Sequence, residues 1–130
     1  MNIFITGVAG FLGSHLADRM LALGHVVSGN DSLIGGHIHN IPKDITFFNI
    51  DCCDFKSMSN IMKNIDIVIH TAATAHEGLS VFSPSFITRN IFEASVSTIS
   101  AAISCKVKRF LFCSSMARYG EQVPPFVEEM

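Results

Sequence analysis

Long hydrophobic runs are missing from this chain of 130 residues, although 48% of its residues are apolar. No apolar stretch reaches the roughly 18 residues that span a bilayer, and the start Met1-Asn2-Ile3 lacks the positive charge of a secretory signal. Charged residues make up only 15% of the chain, and a formal net charge of −2 provides no basic surface for nucleic acid. These absences predict a soluble, cytoplasmic protein whose partners include neither membranes nor nucleic acids.

Paired cysteine motifs and metal-ligand clusters are also missing. The cysteines lack C-x-x-C spacing and a secretory context, so we expect reduced, buried thiols, with Cys113 inside a central strand. His37 and His39 alternate in a glycine-rich loop, but no third ligand accompanies them, so we expect no metal site. The four cysteines are Cys52, Cys53, Cys105 and Cys113.

The chain does contain a glycine-rich turn between two regular elements. The apolar run Ile3-Phe4-Ile5 predicts a strand, residues 11–23 predict a helix, and Thr6-Gly7-Val8-Ala9-Gly10-Phe11-Leu12-Gly13 connects them. Glycine is needed where the backbone takes unusual dihedral angles or approaches a pyrophosphate too closely for a Cβ atom. Because the first N–H groups of a helix are free to bind phosphate, this order of features predicts a dinucleotide-binding turn.

An acidic residue after the second predicted strand indicates which dinucleotide binds. Asp31 follows His25-Val26-Val27 and lies 18 residues beyond Gly13, where its carboxylate would accept hydrogen bonds from the adenine-ribose diol. The same carboxylate would repel a 2′-phosphate, so the pattern favours NAD over NADP. The alternative is an ordinary glycine turn with Asp31 as a loop acid, and the flanking strand and helix make it the weaker interpretation.

Five apolar runs predict strands that alternate with helices. This rhythm is typical of a parallel, doubly wound α/β sheet in a single domain, with the strand order 3-2-1-4-5. The predicted strands cover residues 3–5, 25–27, 45–50, 65–70 and 110–113, and the predicted helices cover residues 11–23, 55–64 and 83–103.

Local signals refine these elements. Ser83 and Pro84 predict the N-cap and first residue of the long helix, because the serine side chain satisfies free N–H groups and proline fits the first turn. Residues 35–40 predict a loop, and no further element is expected after Met116. An apolar stripe on the first helix should pack on the sheet, and it consists of Leu12, Leu16, Met20 and Leu23.

Polar and small residues follow several predicted strands. Ligands of parallel sheets bind at the carboxyl ends of the strands, next to the point where the strand order reverses. We therefore expect one site at that edge. It would contain the turn from Gly7 to Gly13, Asp31, Asp51, residues 71–75 and Ser114-Ser115.

Taken together, these segments resemble the extended short-chain dehydrogenase/reductase family, in particular NAD-dependent nucleotide-sugar epimerases and dehydratases of the UDP-glucose 4-epimerase type. The resemblance implies a Rossmann sheet and covers almost the whole chain. The motifs that carry it are residues 6–13, Asn30-Asp31, Asp51, His70-Thr71-Ala72-Ala73, Asn90, residues 107–110 and Ser114-Ser115-Met116-Ala117-Arg118-Tyr119-Gly120.

The resemblance implies a role for each candidate residue. The pyrophosphate would meet Phe11 and Leu12, the adenosine ribose would meet Asp31, and Ser115 would hydrogen-bond the substrate oxygen at the carbon being oxidised. Asn90 would contact the cofactor from the long helix, although an ordinary solvated or capping role is its alternative. The implied cofactor-binding residues are Gly7, Gly10, Phe11, Leu12, Gly13, Asp31, Ser32, Asp51, Cys52, Thr71, Ala72, Ala73, Asn90 and Ser114.

The residues for proton transfer are absent from the chain. Hydride chemistry in this family uses a tyrosine whose pKa is lowered by a nearby lysine, but the only tyrosine, Tyr119, is followed four residues later by Val123. We expect Tyr119 and His70 to be structural, and Arg118 departs from the family pattern. The simplest interpretation is the amino-terminal portion of a longer enzyme, inactive alone, which lacks the later strands and the substrate domain.

The predicted function is therefore the NAD-binding portion of a nucleotide-sugar epimerase, which removes and returns a hydride at the sugar C4. Its full-length partners would be a nucleotide-sugar substrate and a second copy in a homodimer. A dehydratase is less favoured, because Met116-Ala117 supplies no acid after the serines, and a reductase stays open. The alternatives outside enzymes are a non-catalytic NAD-binding module or sensor and a purely structural α/β domain.

Overall fold

A single parallel sheet organises the chain. The structure, a computed structural model, describes all 130 residues. Its five strands lie in the order β3-β2-β1-β4-β5, and every neighbouring pair is parallel, which confirms the predicted topology. The strands are β1 (Asn2–Thr6), β2 (Val26–Asn30), β3 (Thr46–Phe48), β4 (Ile67–His70) and β5 (Arg109–Phe112).

Helices cover both faces of the sheet. None of them combines the length and the apolar character needed to cross a lipid bilayer. The α-helices are α1 (Phe11–Ala22), α2 (Phe55–Ile61), α3 (Glu77–Phe82), α4 (Pro84–Thr88) and α5 (Ala94–Ser104). Between α4 and α5 the residues Arg89–Glu93 form a π-turn, so the chain stays helical from Pro84 to Ser104, and we name this segment the long helix.

Alternation along β1 divides the core into two layers. Ile3 and Ile5 pack with Val27 and Ala17 on the face covered by α1. Phe4 points to the opposite face and packs against Met58 and other residues beneath α2 and α5. Because successive strand residues point to opposite faces, a strand covered on both sides must be apolar throughout.

The register of the strands aligns their carboxyl ends. Thr6 of β1 pairs with Asn30 of β2 and with His70 of β4, and His70 pairs with Phe112 of β5. The strand order reverses between β1 and β4, so the connections to α1 and from β4 leave the sheet side by side. This reversal opens a crevice at the edge where ligands of such sheets bind.

Some local predictions were wrong because tertiary contacts decided them. In α1 the buried residues are Gly13, Ser14 and Ala17, whereas Leu12 and Leu23 at the two ends of the predicted stripe are 48% and 52% exposed. The stripe is off register because small side chains let α1 lie close to the sheet. Leu16 and Met20, in the middle of the stripe, do pack against the core.

The start of the long helix also differs from the prediction. Ser83 and Pro84 occupy the predicted N-cap and N1 positions, but the Ser83 side chain makes no capping hydrogen bond. Helix α3 directly precedes it, and the Ser83 N–H donates to Leu79 O while Ser83 O accepts from the Ile87 N–H. The backbone of Ser83 thus joins the two helices.

Three further details correct the sequence analysis. A 3₁₀ turn covers Ile38–Asn40 within the predicted loop, and another covers Met116–Tyr119, where no element was expected. Cys113 follows β5, which is an edge strand, and its side chain is exposed rather than buried. Of the other cysteines, Cys52 is buried, and Cys53 and Cys105 are half-buried.

Gly13 should be a position where the fold itself forbids a side chain. A Cβ atom there would lie 2.2 Å from Gly7 O and 2.9 Å from Val8 Cα, both backbone atoms that cannot move away cheaply. We expect Gly13→Ala to lower the free energy of unfolding by about 2 kcal/mol or more. Urea denaturation measures this, and Gly78→Ala in α3, where nothing lies within 4 Å, is the control that should be neutral or stabilising.

Candidate functional site

A deep cleft opens at the carboxyl edge of the sheet. It has a volume of about 640 Å³ and lies where the strand order reverses, bounded by the β1–α1 turn, the ends of β2 and β4, and the long helix. Thirteen of the fourteen predicted cofactor-binding residues line it, and the exception is Ser114. These thirteen are Gly7, Gly10, Phe11, Leu12, Gly13, Asp31, Ser32, Asp51, Cys52, Thr71, Ala72, Ala73 and Asn90.

A second cavity adjoins the first. It has a volume of about 500 Å³ and is lined by Ser114 and Ser115 from the end of β5, by Ser95 of the long helix and by His70. Both cavities share the wall formed by residues 71–76. The structure thus brings the predicted site residues to one edge, in two compartments rather than one.

The glycine turn is shaped by backbone packed on backbone. Gly7 has φ of +70°, and a Cβ atom there would lie 2.8 Å from Ala72 Cα and 2.9 Å from Ala72 N. Gly10 is different, because a Cβ atom there would meet only Gly7 O at 3.2 Å. Gly7 is therefore required by the turn and by the contact with the segment after β4, whereas Gly10 keeps open the mouth of the cleft that it lines.

Helix α1 begins without a side-chain cap. Its N-cap residue is Gly10, and the backbone N–H groups of Phe11, Leu12 and Gly13 make no backbone hydrogen bond. By contrast, Asp54 caps α2 by accepting a hydrogen bond of 3.1 Å from the Ser57 N–H. Free N–H groups and the helix dipole together favour an anion at the start of α1, inside the cleft.

Asp31 lies buried beside the β1–α1 turn that leads into this helix start. The residue is 8% exposed. Its carboxylate accepts two backbone hydrogen bonds, from the Ala9 N–H to Oδ2 at 3.0 Å and from the Leu33 N–H to Oδ1 at 2.7 Å. These bonds hold the carboxylate in place. A carboxylate has about four acceptor positions, so each oxygen retains capacity for a ligand hydroxyl.

Asp51 and Cys52 form another end of the cleft. The Asp51 carboxylate accepts the Cys53 N–H and the Arg89 guanidinium, each at 2.8 Å. Partial burial would raise the pKa of Asp51, but these two interactions outweigh it and hold the pKa below its usual value. Burial raises the pKa of the Cys52 thiol, and burial beside Asp51 raises that of Cys53 to about 11. Both thiols are therefore protonated, unreactive groups near neutral pH.

The wall shared by the two cavities consists of small side chains. Thr71, Ala72 and Ala73 follow β4 directly, and the Thr71 hydroxyl donates to Thr6 O at 2.6 Å. Asn90 faces this wall from the long helix. Its Nδ2 donates to Phe86 O at 2.8 Å, which leaves its carbonyl oxygen for a ligand.

The serines after β5 lie in the second cavity. Ser115 Oγ accepts the Ala117 N–H at 3.2 Å and so caps the short turn that follows. The hydroxyl hydrogen of Ser115 is not used by this bond, so an exposed donor faces the cavity. Tyr119 lies at the end of that turn and stacks on Phe126 with ring centroids 4.8 Å apart, a structural contact.

Several residues that line the cleft were not singled out in the sequence as site residues, among them Gly36, Asn30 and Phe86. Gly36 lies so close to Asp31 that a Cβ atom would be 2.8 Å from Oδ2, and the Gly35-Gly36 pair is the sequence signal that could have indicated it. Asn30 is fully buried and donates to Ile50 O at 2.8 Å. Phe86 lines the cleft from α4, and no local pattern indicates it.

His37 and His39 stack on each other, and no group of three or more His, Cys, Asp or Glu side chains is placed to hold a metal ion.

The sequence is similar to a known family and to several characterised proteins. Residues 3–130 match the NAD dependent epimerase/dehydratase family. A UDP-glucose 4-epimerase of Caenorhabditis elegans is 33% identical, over 92% of this chain and 39% of that protein. A UDP-N-acetyl-alpha-D-glucosaminuronate decarboxylase of Bacillus cytotoxicus is 30% identical, over 96% of this chain and 40% of that protein.

The fold is also similar to solved structures. A UDP-glucose 4-epimerase from Stenotrophomonas maltophila, solved with bound NAD and formylated UDP-arabinopyranose, superposes with a TM-score of 0.91 at 29% identity. The match covers 98% of this chain and 40% of that one. The chain thus spans about 40% of the length of these relatives.

His70 should make the stability of the fold depend on pH. Burial lowers the pKa of His70 to about 4, so the unfolded chain binds a proton below about pH 6.5 that the folded chain rejects. Stability should therefore fall as the pH drops from about 6.5 to about 4, by up to about 3 kcal/mol. Urea denaturation at several pH values measures this, and His70→Asn should reduce the slope to the part contributed by carboxylates such as Asp51, whose pKa is lowered in the fold. An equal slope in both proteins would contradict the assignment.

Proposed function

Because the chain belongs to the NAD-dependent epimerase/dehydratase family, we propose that its cleft binds NAD and that residues 1–130 form the NAD-binding domain of a nucleotide-sugar epimerase. One observation carries the proposal: the uncapped start of α1 and the buried carboxylate of Asp31 line the same cleft. A pyrophosphate and a ribose diol are the two groups of NAD that these features fit.

The two halves of the cofactor fit different parts of the cleft. In the proposal, the N–H groups of Phe11 and Leu12 bind the pyrophosphate, and Asp31, beside Ser32, accepts the hydroxyls of the adenosine ribose. Adenine lies near Asp51 and Cys52, and the nicotinamide half lies along the shared wall. The supporting fit is the open space at Gly10, where a Cβ atom would meet only Gly7 O, and the small side chains of Thr71, Ala72 and Ala73 along the cleft.

The second cavity would hold the reacting end of the substrate. NAD, when bound there, would supply the acceptance and return of a hydride at the sugar C4. The free hydroxyl hydrogen of Ser115 would bond to the oxygen on that carbon, while Ser114 and Asn90 would position the cofactor. The sharing of one wall by both cavities supports this arrangement. No group for taking the substrate proton is assigned, because Tyr119 stacks on Phe126.

A non-catalytic NAD-binding module is the second candidate. The observation that favours it is the position of the only tyrosine, which is stacked and has Val123 rather than lysine four residues later. Both candidates require NAD binding. They differ in that only the epimerase would convert a nucleotide-sugar substrate. A nucleotide-sugar dehydratase is less favoured, because Met116 and Ala117 supply no acid beside Ser115.

Asp31 should control the choice between NAD and NADP. We expect the 130-residue chain to bind NAD about tenfold or more tightly than NADP, since a buried carboxylate repels the 2′-phosphate. Asp31→Asn removes the charge, and it should weaken NAD binding and bring the two affinities closer together. Isothermal calorimetry measures both ligands, with Asp18→Asn on the exposed side of α1 as the matched control. Wild-type protein that binds neither ligand would refute the proposed function, and an unchanged NAD/NADP ratio in Asp31→Asn would refute the role of Asp31.

Gly10 should be a position where a side chain blocks the ligand and spares the fold. Its Cβ direction is open apart from Gly7 O, so Gly10→Val should fold with a circular dichroism spectrum like that of the wild type. The valine would fill the mouth of the cleft beside the α1 N–H groups, and NAD binding should be lost. Ala22→Val, at the exposed end of α1, is the control that places the same side chain on this helix away from the cleft, and it should bind normally. NAD affinity in Gly10→Val equal to that of the wild type would place the pyrophosphate elsewhere.

A further inference from the structure

His70 makes hydrogen bonds through both ring nitrogens. Its Nδ1 lies 2.8 Å from Thr6 Oγ1, and its Nε2 lies 3.0 Å from Ser95 Oγ. His70 is 2% exposed and ends β4. The two hydroxyls belong to β1 and to the long helix, so the imidazole connects three elements that surround the site.

The other bonds of the two hydroxyls determine which nitrogen carries the proton. Thr6 Oγ1 already accepts the Thr71 N–H and the Ala72 N–H, each at 3.2 Å, so its own hydrogen is left to donate to His70 Nδ1. Ser95 donates to Ile91 O at 2.6 Å, so its oxygen is left to accept from Nε2. Each hydroxyl has one hydrogen to give, and only the neutral Nε2–H tautomer satisfies every bond.

The bonds to Thr6 hold the wall of the cleft. Thr71 and Ala72 line both cavities. The backbone of Ala72 also packs closely on the glycine turn, because a Cβ atom on Gly7 would lie only 2.9 Å from Ala72 N. If the Thr6 hydroxyl turned away from His70, its lone pairs would turn with it, and the two N–H groups would lose their acceptor. The orientation of one hydroxyl therefore fixes the backbone against which the ligand lies.

The bonds to Ser95 hold the opposite side. Ser95 donates to Ile91 O inside the π-turn, and Ile91 directly follows Asn90 in the chain. Such turns occur mostly as single insertions in α-helices and often mark functional sites. The imidazole thus joins the wall after β4 to the part of the long helix that carries Asn90.

We propose that His70 is a positioning residue for the cofactor: as the Nε2–H tautomer, it orients the Thr6 hydroxyl and thereby fixes the Thr71–Ala72 backbone that forms the cleft wall. This inference rests on the proposed function, because it concerns the same cleft. His70 itself does not touch the cofactor in this proposal, and it transfers no proton.

The surroundings of the ring keep it neutral. The groups packed against it are the Thr6 and Ser95 hydroxyls and the rings of Phe110 and Phe112, with centroids 5.8 and 5.7 Å away. None of these groups titrates or carries a charge, and burial alone lowers the pKa of His70 to about 4. A protonated ring would present a second N–H donor to Thr6 Oγ1, which already accepts two, so the neutral tautomer is maintained across the working range of pH.

Two amide variants of His70 separate the roles of its nitrogens. The Oδ1 of asparagine can replace Nδ1 as the acceptor for Thr6, whereas the longer glutamine places its amide near Nε2 and Ser95. We expect His70→Asn to keep NAD affinity within about threefold of wild type and His70→Gln to lose about tenfold, the equivalent of one hydrogen bond of about 1.4 kcal/mol. Calorimetry on the 130-residue chain measures both, and circular dichroism checks that both fold.

A third variant tests whether His70 acts through Thr6. Thr6→Val removes the hydroxyl at nearly constant shape and should weaken NAD binding as much as His70→Gln does. The double variant Thr6→Val/His70→Gln should bind NAD no more weakly than either single variant, because both changes break the same hydrogen-bonded connection. Additive losses would show that the two residues act independently and would overturn the inference, as would equal affinities in His70→Asn and His70→Gln.

Nitrogen-15 NMR of the ligand-free protein reads the tautomer directly. We expect Nε2 protonated and Nδ1 unprotonated, with no change between pH 7.5 and about pH 5. A protonated Nδ1, or titration near the ordinary pKa of about 6.5, would overturn the inference. Failure of the wild-type protein to bind NAD would instead refute the proposed function, so the two failures are distinguishable.

Discussion

The close approach of backbone to backbone in the β1–α1 turn is the constraint on which the site depends. A Cβ atom on Gly13 would meet Gly7 O at 2.2 Å, and one on Gly7 would meet Ala72 Cα at 2.8 Å. These contacts place the first turn of α1 directly beside the chain that leaves β4. Because Gly10 supplies no cap, the N–H groups at that helix start face the cleft, where an anion is the group they favour. The cleft therefore depends on the absence of side chains at the glycines of this turn and on the absence of a side-chain cap at Gly10.

The polar side chains around this turn are held by the protein before any ligand arrives. Asp31 accepts two backbone N–H groups, Asp51 accepts one N–H and a guanidinium, and Asn90 donates to its own helix. Each nonetheless retains acceptor capacity, because a carboxylate or amide oxygen has two lone pairs. Such preorganisation lowers the entropy that binding would otherwise cost. In the proposed function, it would also separate the adenosine half of NAD, at the ends of β2 and β3, from the substrate beside β5.

Two different sets of polar groups lie at this edge of the sheet. The larger cleft offers N–H donors, carboxylates and small side chains, whereas the second cavity offers the hydroxyls of Ser114 and Ser115. His70 lines the second cavity, and both of its ring nitrogens are hydrogen-bonded to hydroxyls of neighbouring elements. A buried histidine at the end of a strand thus has a structural use here, which connects the glycine turn to the long helix.

The sequence by itself determined the sheet order, the glycine turn and the set of residues at the carboxyl edge, because strand alternation and glycine spacing are local patterns. Only the tertiary structure decided which helix face is buried: Ala17 lies inside while Leu12 and Leu23 stay exposed, since close packing of α1 on the sheet favours small side chains. It also decided the partners of His70, the Asp51–Arg89 ion pair and the exposure of Cys113, because these depend on residues far apart in the chain. Periodicity predicts which elements form, and long-range packing decides which atoms meet.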